Sequence, residues 1–382
     1  MTPWDPREPY NALPQPPQID VLETPRVLKA TIEARAALAR LDQAAASIPD
    51  PTILINTIPL IEAQASSEIE NIVTTTDTLF RFLDDDESAD PATREALRYR
   101  TALRVGYDAV RRRGLTVATA TTICTTIKGR EMRVRDLPGT HLAHPITGQV
   151  TYTPPDGKEI IQEKLADWER FIHTDNGLDP LVRMAVAHYQ FEAIHPYADG
   201  NGRTGRIINI LMLCHLGVLG SPILYLSRYI IATKDDYYRH LLAVTGESAW
   251  EDWIVYMLHG VDQTSRSVLS KITAITELTD DFAHRARAVT SGGGDRELLR
   301  VLFEQPYCRI ATVVSRTGVS RPTATKRLEA LVAAGMLSDI KVGRDRLFIN
   351  RELLRVLTRS ESDLGSPLDA STWSRDTVRQ GP

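Results

Sequence analysis

Within twelve residues the chain carries a histidine, a carboxylate, an asparagine, three glycines and two arginines, in the order His195-Pro196-Tyr197-Ala198-Asp199-Gly200-Asn201-Gly202-Arg203-Thr204-Gly205-Arg206. An apolar run follows at helical spacing, through Ile207, Ile208, Ile210, Leu211 and Leu213. A glycine-rich turn that opens a helix exposes backbone N–H groups and the positive end of the helix dipole, and together these make an anion site. Arg203 and Arg206, three apart on the first turn, can each grip a phosphate with two N–H groups. Asp199 offers the hard oxygen preferred by a magnesium ion that bridges such phosphates. His195 is the one group in the stretch whose ordinary pKa, about 6.5, lets it accept a proton near neutrality. A base beside a polyphosphate implies an attacking hydroxyl. Any one of these residues alone reads as a cap, a packed side chain or a turn, but a merely structural turn has no use for all of them.

The elements that must hold this stretch are mainly helical. Residues 1–22 are rich in proline and polar residues and read as an extended arm. Apolar residues recur at helical intervals from Glu23 to about Ala46, and again from Pro51 through Leu54, Ile58, Ile61, Ala65 and Ile69, where Pro59 is expected to kink the helix or restart it. Thr74-Thr75-Thr76 ends that pattern. The acidic run Asp84-Asp85-Asp86-Glu87 reads as a solvated loop, and helices are expected from Pro91 to Arg112 and from Val117 to Lys128. Turn signals at Pro138-Gly139 and Thr147-Gly148 flank the strand-like Gln149-Val150-Thr151-Tyr152-Thr153, so a β-hairpin over 135–155 should project from the helical body. Helical periodicity returns over Gly157–Thr174 and Asp179–Ile194, then after a loop at 195–202 continues past Cys214. Ser291-Gly292-Gly293-Gly294 is the clearest linker, and the tail over 359–382 has the composition of a disordered segment.

Bulk properties narrow the setting. At 382 residues, two or three domains are expected at about 150 residues each. The net charge of -4 argues against the whole molecule coating nucleic acid or an acidic membrane. Cys124, Cys214 and Cys308 lie far apart without metal-ligand spacing, which suits a reducing compartment. The residues after Met1 lack a basic and apolar leader, and no run of 18 apolar residues occurs, so the expectation is a cytoplasmic protein with no membrane span.

The stretch at 195–206 resembles the motif of the Fic family, His-Pro-Phe-x-(Asp or Glu)-Gly-Asn-Gly-Arg-x-x-Arg, with Tyr197 in place of phenylalanine. The resemblance implies a helical Fic domain, here placed over 111–288, with ATP as co-substrate and Mg²⁺ as cofactor. It implies that His195 is the general base and Asp199 the metal ligand. Asn201 and the backbone of Gly200 and Gly202 would cradle the α and β phosphates, Arg203 would meet the β phosphate and Arg206 the γ phosphate, with Thr204 and Gly205 completing the nucleotide-binding turn. The implied reaction is in-line attack by a Ser, Thr or Tyr hydroxyl, of a target protein or of the chain itself, on the α phosphorus, with release of pyrophosphate. Gly202 stands where the related Doc-type kinases carry lysine, which favours AMP transfer over phosphorylation.

Further segments fit the same resemblance. Ser66-Ser67-Glu68-Ile69-Glu70-Asn71 is similar to the family's inhibitory pattern (Ser or Thr)-x-x-x-Glu-(Gly or Asn), within an N-terminal helical region over 23–110. Ser66 and Glu70 share a helix face, and the resemblance implies that Glu70 pairs with Arg206 in the γ-phosphate position, with Asn71 closing the motif. The hairpin resembles the flap that pairs with an extended target segment, whereas His144-Pro145 lacks the following glycines and arginines and reads as a turn. In Lys234-Asp235-Asp236-Tyr237-Tyr238-Arg239, Tyr238 is the aromatic expected near the nucleoside.

Residues 289–294 are expected to link this body to a small winged helix-turn-helix domain at 295–358. Helices over Asp295–Phe303 and Ile310–Thr317, a third capped by Ser320 and ended at Gly335, and a hairpin over 337–350 give that pattern. The segment holds 12 Lys and Arg against 7 Asp and Glu, a local +5 that could contact DNA through Arg321, Lys326 and Arg327. Winged helices also dock proteins and form homodimers, so that partner stays open, as do two rival activities: removal of AMP by the same site, and DNA-binding regulation by a Fic body that only senses nucleotide.

Overall fold

The computed structural model describes residues 4–48, 52–83, 88–144, 147–291, 295–342 and 345–358. The acidic run at 84–87, Pro145, most of the glycine linker, the tip of the C-terminal hairpin at 343–344 and the tail over 359–382 lie outside the described residues.

After the short α1 (Ile19–Leu22), α2 (Pro25–Ser47) begins where Thr24 accepts the Val27 N–H at 3.3 Å and Pro25 takes the first helical position. Its buried stripe of Val27, Ala30, Ala34, Leu38 and Leu41 lies along α12 (Trp250–Val289), a 40-residue helix that runs from the N-terminal helical body to the C-terminal body. The helix α3 (Thr52–Ile69) continues through Pro59 without a restart. Ile58, Leu60 and Ile61 are all buried around the proline, and their packing outweighs the one hydrogen bond it removes. A turn of helix unforeseen after the threonines, α4 (Thr76–Arg81), is capped by Thr75.

The next pair, α5 (Pro91–Arg113) and α6 (Val117–Lys128), matches the expected bounds within a residue. The hairpin is shorter than expected: β1 (Leu142–Ala143) pairs antiparallel with β2 (Val150–Tyr152), with a break in register beside Leu142. Then come α7 (Lys158–His173) and α8 (Pro180–Ile194), the latter buried on nearly every side, with Arg183, His188 and Gln190 among its buried residues. It packs on α9 (Asn201–His215), which starts inside the His195–Arg206 stretch, earlier than the sequence pattern suggested. α10 (Ser227–Ala232) and α11 (Lys234–Glu247) complete the shell. No helix among the described residues is long and apolar enough to cross a membrane.

The proline-rich arm is docked on the hairpin. Tyr10 N–H donates to the Thr153 carbonyl at 3.0 Å, the Thr153 hydroxyl donates to the Pro6 carbonyl at 2.7 Å, and the rings of Trp4 and Tyr10 both lie against Tyr152.

The C-terminal body runs α13 (Arg296–Glu304), β3 (Tyr307–Arg309), α14 (Ile310–Thr317), α15 (Arg321–Ala333), β4 (Ser338–Val342), β5 (Asp345–Ile349) and α16 (Arg351–Thr358). Its antiparallel sheet has the order β3-β5-β4, so β3 adds a third strand to the expected hairpin, and α16 is a further helix unread in the sequence. This body rests on α3 and α4: α13 and α16 pack on α3, Tyr307 stacks on Phe80, and the Tyr307 hydroxyl donates to Asp77.

Gly106 sets how closely α5 approaches α6 and α9. A Cβ there would come within 2.7 Å of Leu211 Cδ1 and 3.0 Å of Ile123. Overpacking of this kind costs about 1–3 kcal/mol, against about 1 kcal/mol recovered from helix propensity. Gly106→Ala is therefore expected to lower stability by about 1 kcal/mol in urea denaturation, whereas propensity alone would raise it.

Candidate active site

His195 is the residue that ends α8, and it sits in the left-handed region at φ 49°. Few non-glycine residues adopt that conformation, so its neighbours must hold it there. Arg135, at the base of the hairpin, does so: its Nε donates to the His195 carbonyl at 2.8 Å, its guanidinium also reaches the carbonyls of Ile194 and Pro155, and its backbone N–H donates to Pro196 at 2.9 Å. These bonds satisfy carbonyls that the end of α8 leaves unpaired. Asn201 closes the turn from within, its Oδ1 accepting the Tyr197 N–H at 2.8 Å and its Nδ2 donating to the Tyr197 carbonyl at 2.7 Å. The Tyr197 ring is fully buried and its hydroxyl meets Thr121 of α6 at 3.0 Å, so the extra oxygen relative to phenylalanine has a partner.

The first turn of α9 points at the end of α3. There the Ile72 N–H donates to the Ser67 carbonyl at 2.9 Å and the Asn71 N–H to the Glu68 carbonyl at 3.0 Å, with Asn71 left-handed at φ 60°. This is a Schellman closure, and it explains why asparagine or glycine must follow Glu70. The closure delivers the Glu70 carboxylate onto Arg206, 2.9 Å from its Nη2, while Ser66 accepts from the same guanidinium through its hydroxyl at 2.9 Å and its carbonyl at 2.8 Å. Glu70 also lies directly over Gly202, where a Cβ would stand 2.3 Å from its Oε1. Lys234 holds the end of α3 in place, donating to the Ile69 carbonyl at 2.7 Å. Burial opposes charge on both partners, but their mutual attraction prevails, so the Glu70 carboxyl lies below the usual carboxylate range and Arg206 above its own.

A second ionic group lies beside the first. Arg203 donates to Glu95 of α5 at 2.6 Å and stands 3.6 Å from Asp199. Lys128, the last residue of α6, reaches both Glu95 and Asp199 at 2.6 Å. Burial would raise the Asp199 carboxyl, but Lys128 and Arg203 hold it below its ordinary range. Deeper in, Glu62 accepts from Tyr99 at 3.0 Å and from the Ser227 N–H at 3.2 Å, and burial pushes it up to about 7. Burial likewise raises Glu192 to about 7.

Burial, helped by Arg135, pushes the His195 imidazole down to about 4, while Glu70, the Glu192 carbonyl and Asp199 act the other way. The ring is therefore neutral at physiological pH and free to take a proton. Thr204 is buried toward α6, and Gly205 faces Phe191, Glu192 and His188 of α8, so these two pack the helix rather than line its outer turn. Tyr238 is 40% exposed and stands edge-on to the buried Tyr237, and the Glu70 and Arg206 charges both act on its hydroxyl. Glu95, Lys128 and Arg135 are the site residues that sequence reasoning passed over. Each sits far along the chain from the motif, and only the packing of α5, α6 and the hairpin brings it there.

Asn71→Gly should leave the Schellman closure intact, whereas Asn71→Val should cost about 1–2 kcal/mol in thermal or chemical denaturation. Equal stability of the two variants would mean that Glu70 is not positioned by this closure.

Three family models match the chain: Fic/DOC family N-terminal over 28–108, Fic/DOC family over 120–213, and Protein adenylyltransferase SoFic-like, C-terminal domain, over 278–353. Among individual proteins, the chain is similar to the protein adenylyltransferase fic-1 of Caenorhabditis briggsae, with 34% identity over 90 residues that make up 23% of this chain and 16% of that protein. It is also similar to a probable protein adenylyltransferase of Aquifex aeolicus, with 27% identity over 84 residues, 22% of this chain and 26% of the other. The chain thus spans only about a sixth to a quarter of the length of these relatives. In fold it is similar to a Fic family protein from Desulfovibrio desulfuricans G20, with a TM-score of 0.52 at 20% identity over 88% of this chain and 98% of that one. A Fic domain containing signaling protein from Bacteroides thetaiotaomicron has a TM-score of 0.50 at 16% identity, over 63% of this chain and 95% of that one.

Proposed function

The chain belongs to the Fic/DOC family, and from that premise we propose that it transfers AMP from ATP to a protein hydroxyl and restrains itself through Glu70. The observation that carries this reading is the position of the Glu70 carboxylate, which lies over Gly202 at the start of α9 and on Arg206. An acid held at a helix N-terminus and paired with a buried arginine occupies the kind of place a phosphate would take.

In the reaction so read, the N-terminal turn of α9 and Arg203 receive the phosphates, and Arg206 receives the last of them once Glu70 has left it. The tyrosine-rich face at Tyr238 takes the nucleoside side, and the hairpin presents an extended target segment by strand pairing. His195, neutral at working pH, takes the proton of the target hydroxyl as its oxygen bonds to the α phosphorus. The bond from that phosphorus to the bridging oxygen breaks, and pyrophosphate leaves. Arg135 and Asn201 contribute by holding the His195 backbone and the turn rigid before substrate arrives. Asp199 is one hard oxygen donor, half exposed beside the phosphate turn, and among the described residues no group of three or more ligands accompanies it. That donor set fits Mg²⁺, which is commonly held by one or two carboxylates plus substrate phosphates. When bound, it would neutralise charge on the phosphates.

We read the C-terminal body as a winged helix-turn-helix; the helices α13, α14 and α15 followed by the β4–β5 pair support that reading, and Arg321 and Lys326 are exposed on α15. The exposed Arg321 and Lys326 support duplex DNA as its partner, whereas Arg327 lies 3.6 Å from Asp295; salt-dependent fluorescence anisotropy with a DNA duplex separates this from docking of a protein or a second copy.

Mass spectrometry of the purified chain after incubation with ATP and Mg²⁺ tests the main reading. Glu70→Gly should carry about tenfold more AMP than the unaltered chain, and Glu70→Gly combined with His195→Ala should carry none. Equal labelling with and without Glu70, at unimpaired ATP binding, would sink the inhibitory role. AMP incorporation without His195 would sink the catalytic one. Loss of AMP from a pre-modified target on incubation with the unaltered chain would favour the reverse reaction.

The pH dependence follows from the His195 environment. Its lowered pKa means that the neutral base is present throughout the neutral range and is lost only as pH falls through about 4. The kcat/KM of Glu70→Gly should therefore stay flat between about pH 5.5 and 8, whereas an unperturbed histidine would halve it near about 6.5.

A further inference from the structure

The Lys128 side chain is not needed to account for the reaction, yet it reaches the one carboxylate read as a metal ligand. Its stem crosses the turn at Gly200, where a Cβ would meet Lys128 Cδ at 3.4 Å, and its ammonium rests 2.6 Å from Asp199 Oδ2. The same ammonium is 2.6 Å from Glu95, whose Oε1 also receives Arg203 at 2.6 Å. Two cations and two carboxylates thus balance to zero beside the phosphate turn. Lys128 is mostly buried, while Asp199 is open to solvent on its other side.

We propose that Lys128 is a resident counterion of Asp199, which occupies the divalent-cation position and must yield it to the metal that accompanies the nucleotide. The inference rests on the reading of Asp199 as the metal ligand. A divalent ion added to the balanced group would face an ammonium and a guanidinium at close range, so the lysine has to move. It can move cheaply, because an ammonium on a flexible stem keeps Glu95 as a partner when it releases Asp199. With Asp199 as the lone protein donor, a single competing charge is enough to set the metal requirement. While no metal is present, Lys128 masks a carboxylate that would otherwise repel the phosphates.

The test is isothermal titration with a non-hydrolysable ATP analogue, in the Glu70→Gly background, across a series of Mg²⁺ concentrations and in EDTA. Lys128→Met should lower the Mg²⁺ concentration for half-maximal enhancement of binding about fivefold, weaken binding in EDTA and leave binding at saturating Mg²⁺ unchanged. Lys128→Arg keeps the charge and can pair with Asp199 through two N–H groups, so it should raise the Mg²⁺ requirement, and this variant decides the matter if Lys128→Met does not fold. Equal weakening of binding with and without Mg²⁺ in Lys128→Met would identify a phosphate ligand or a structural residue and overturn the proposal. So would an unchanged or lower requirement in Lys128→Arg. Asp199→Asn should abolish the Mg²⁺ enhancement, and if it does not, the metal-ligand reading itself has failed, whatever Lys128 does.

Discussion

The pairing of Arg206 with the end of α3 is the contact on which the rest of this structure turns. A guanidinium with almost no exposure cannot stay charged inside a protein without partners, and here Ser66 and Glu70 supply them. The pairing also joins two helix ends of opposite polarity, because α3 presents its C-terminal, negative end to the positive start of α9. A nucleotide that claimed Arg206 would have to break this contact and restore equivalent bonds with its own oxygens. The same side chain can therefore serve stability in one state and phosphate recognition in another.

Because α3 makes that contact, whatever positions α3 also positions the site. On one side it packs against α5 and α10, and Glu62, two turns before Glu70, is anchored by Tyr99 of α5 and Ser227 of α10. On the other it bears α13 and α16 of the C-terminal body, with Tyr307 locked onto Phe80 and Asp77 of the adjoining α4. The C-terminal body thus rests on the helix that carries Glu70, and α12 ties both bodies to α2. Charge is handled differently on the two sides of the phosphate turn: a buried Arg206 paired with a part-exposed Glu70 on one side, and on the Arg203 side a group of four that is open to solvent chiefly at Asp199.

Much of this was legible in the sequence. The helices α5 and α6 follow from helical patterning, the cap at Ser320 from local chemistry, and the chemical character of 195–206 from residue types alone. Where the reading departed from the structure, tertiary forces had overruled local ones. Pro59 does not restart the helix because buried side chains surround it, and α9 begins at Asn201, two residues inside the expected loop, because Asn201 braces the turn before it. The strand β3 is short and found its place only by pairing with β5.

What the sequence determined by itself is the set of groups: a base, a hard oxygen, two arginines and a glycine turn, together with a glutamate one helical turn after a serine. These are local properties, set by residue type and by the period of a helix. What only the tertiary structure decided is which charges meet. Glu70 and Arg206 are 136 residues apart, and only the family resemblance, not spacing, pairs them in advance; Glu95 and Arg203 are 108 apart, and Lys128 and Arg135 come from the end of a helix and the base of a hairpin. Spacing along a chain carries no record of such encounters. They depend on how closely buried helices approach, as at Gly106 between α5, α6 and α9, and on the space that Gly202 leaves for the Glu70 carboxylate by lacking a side chain.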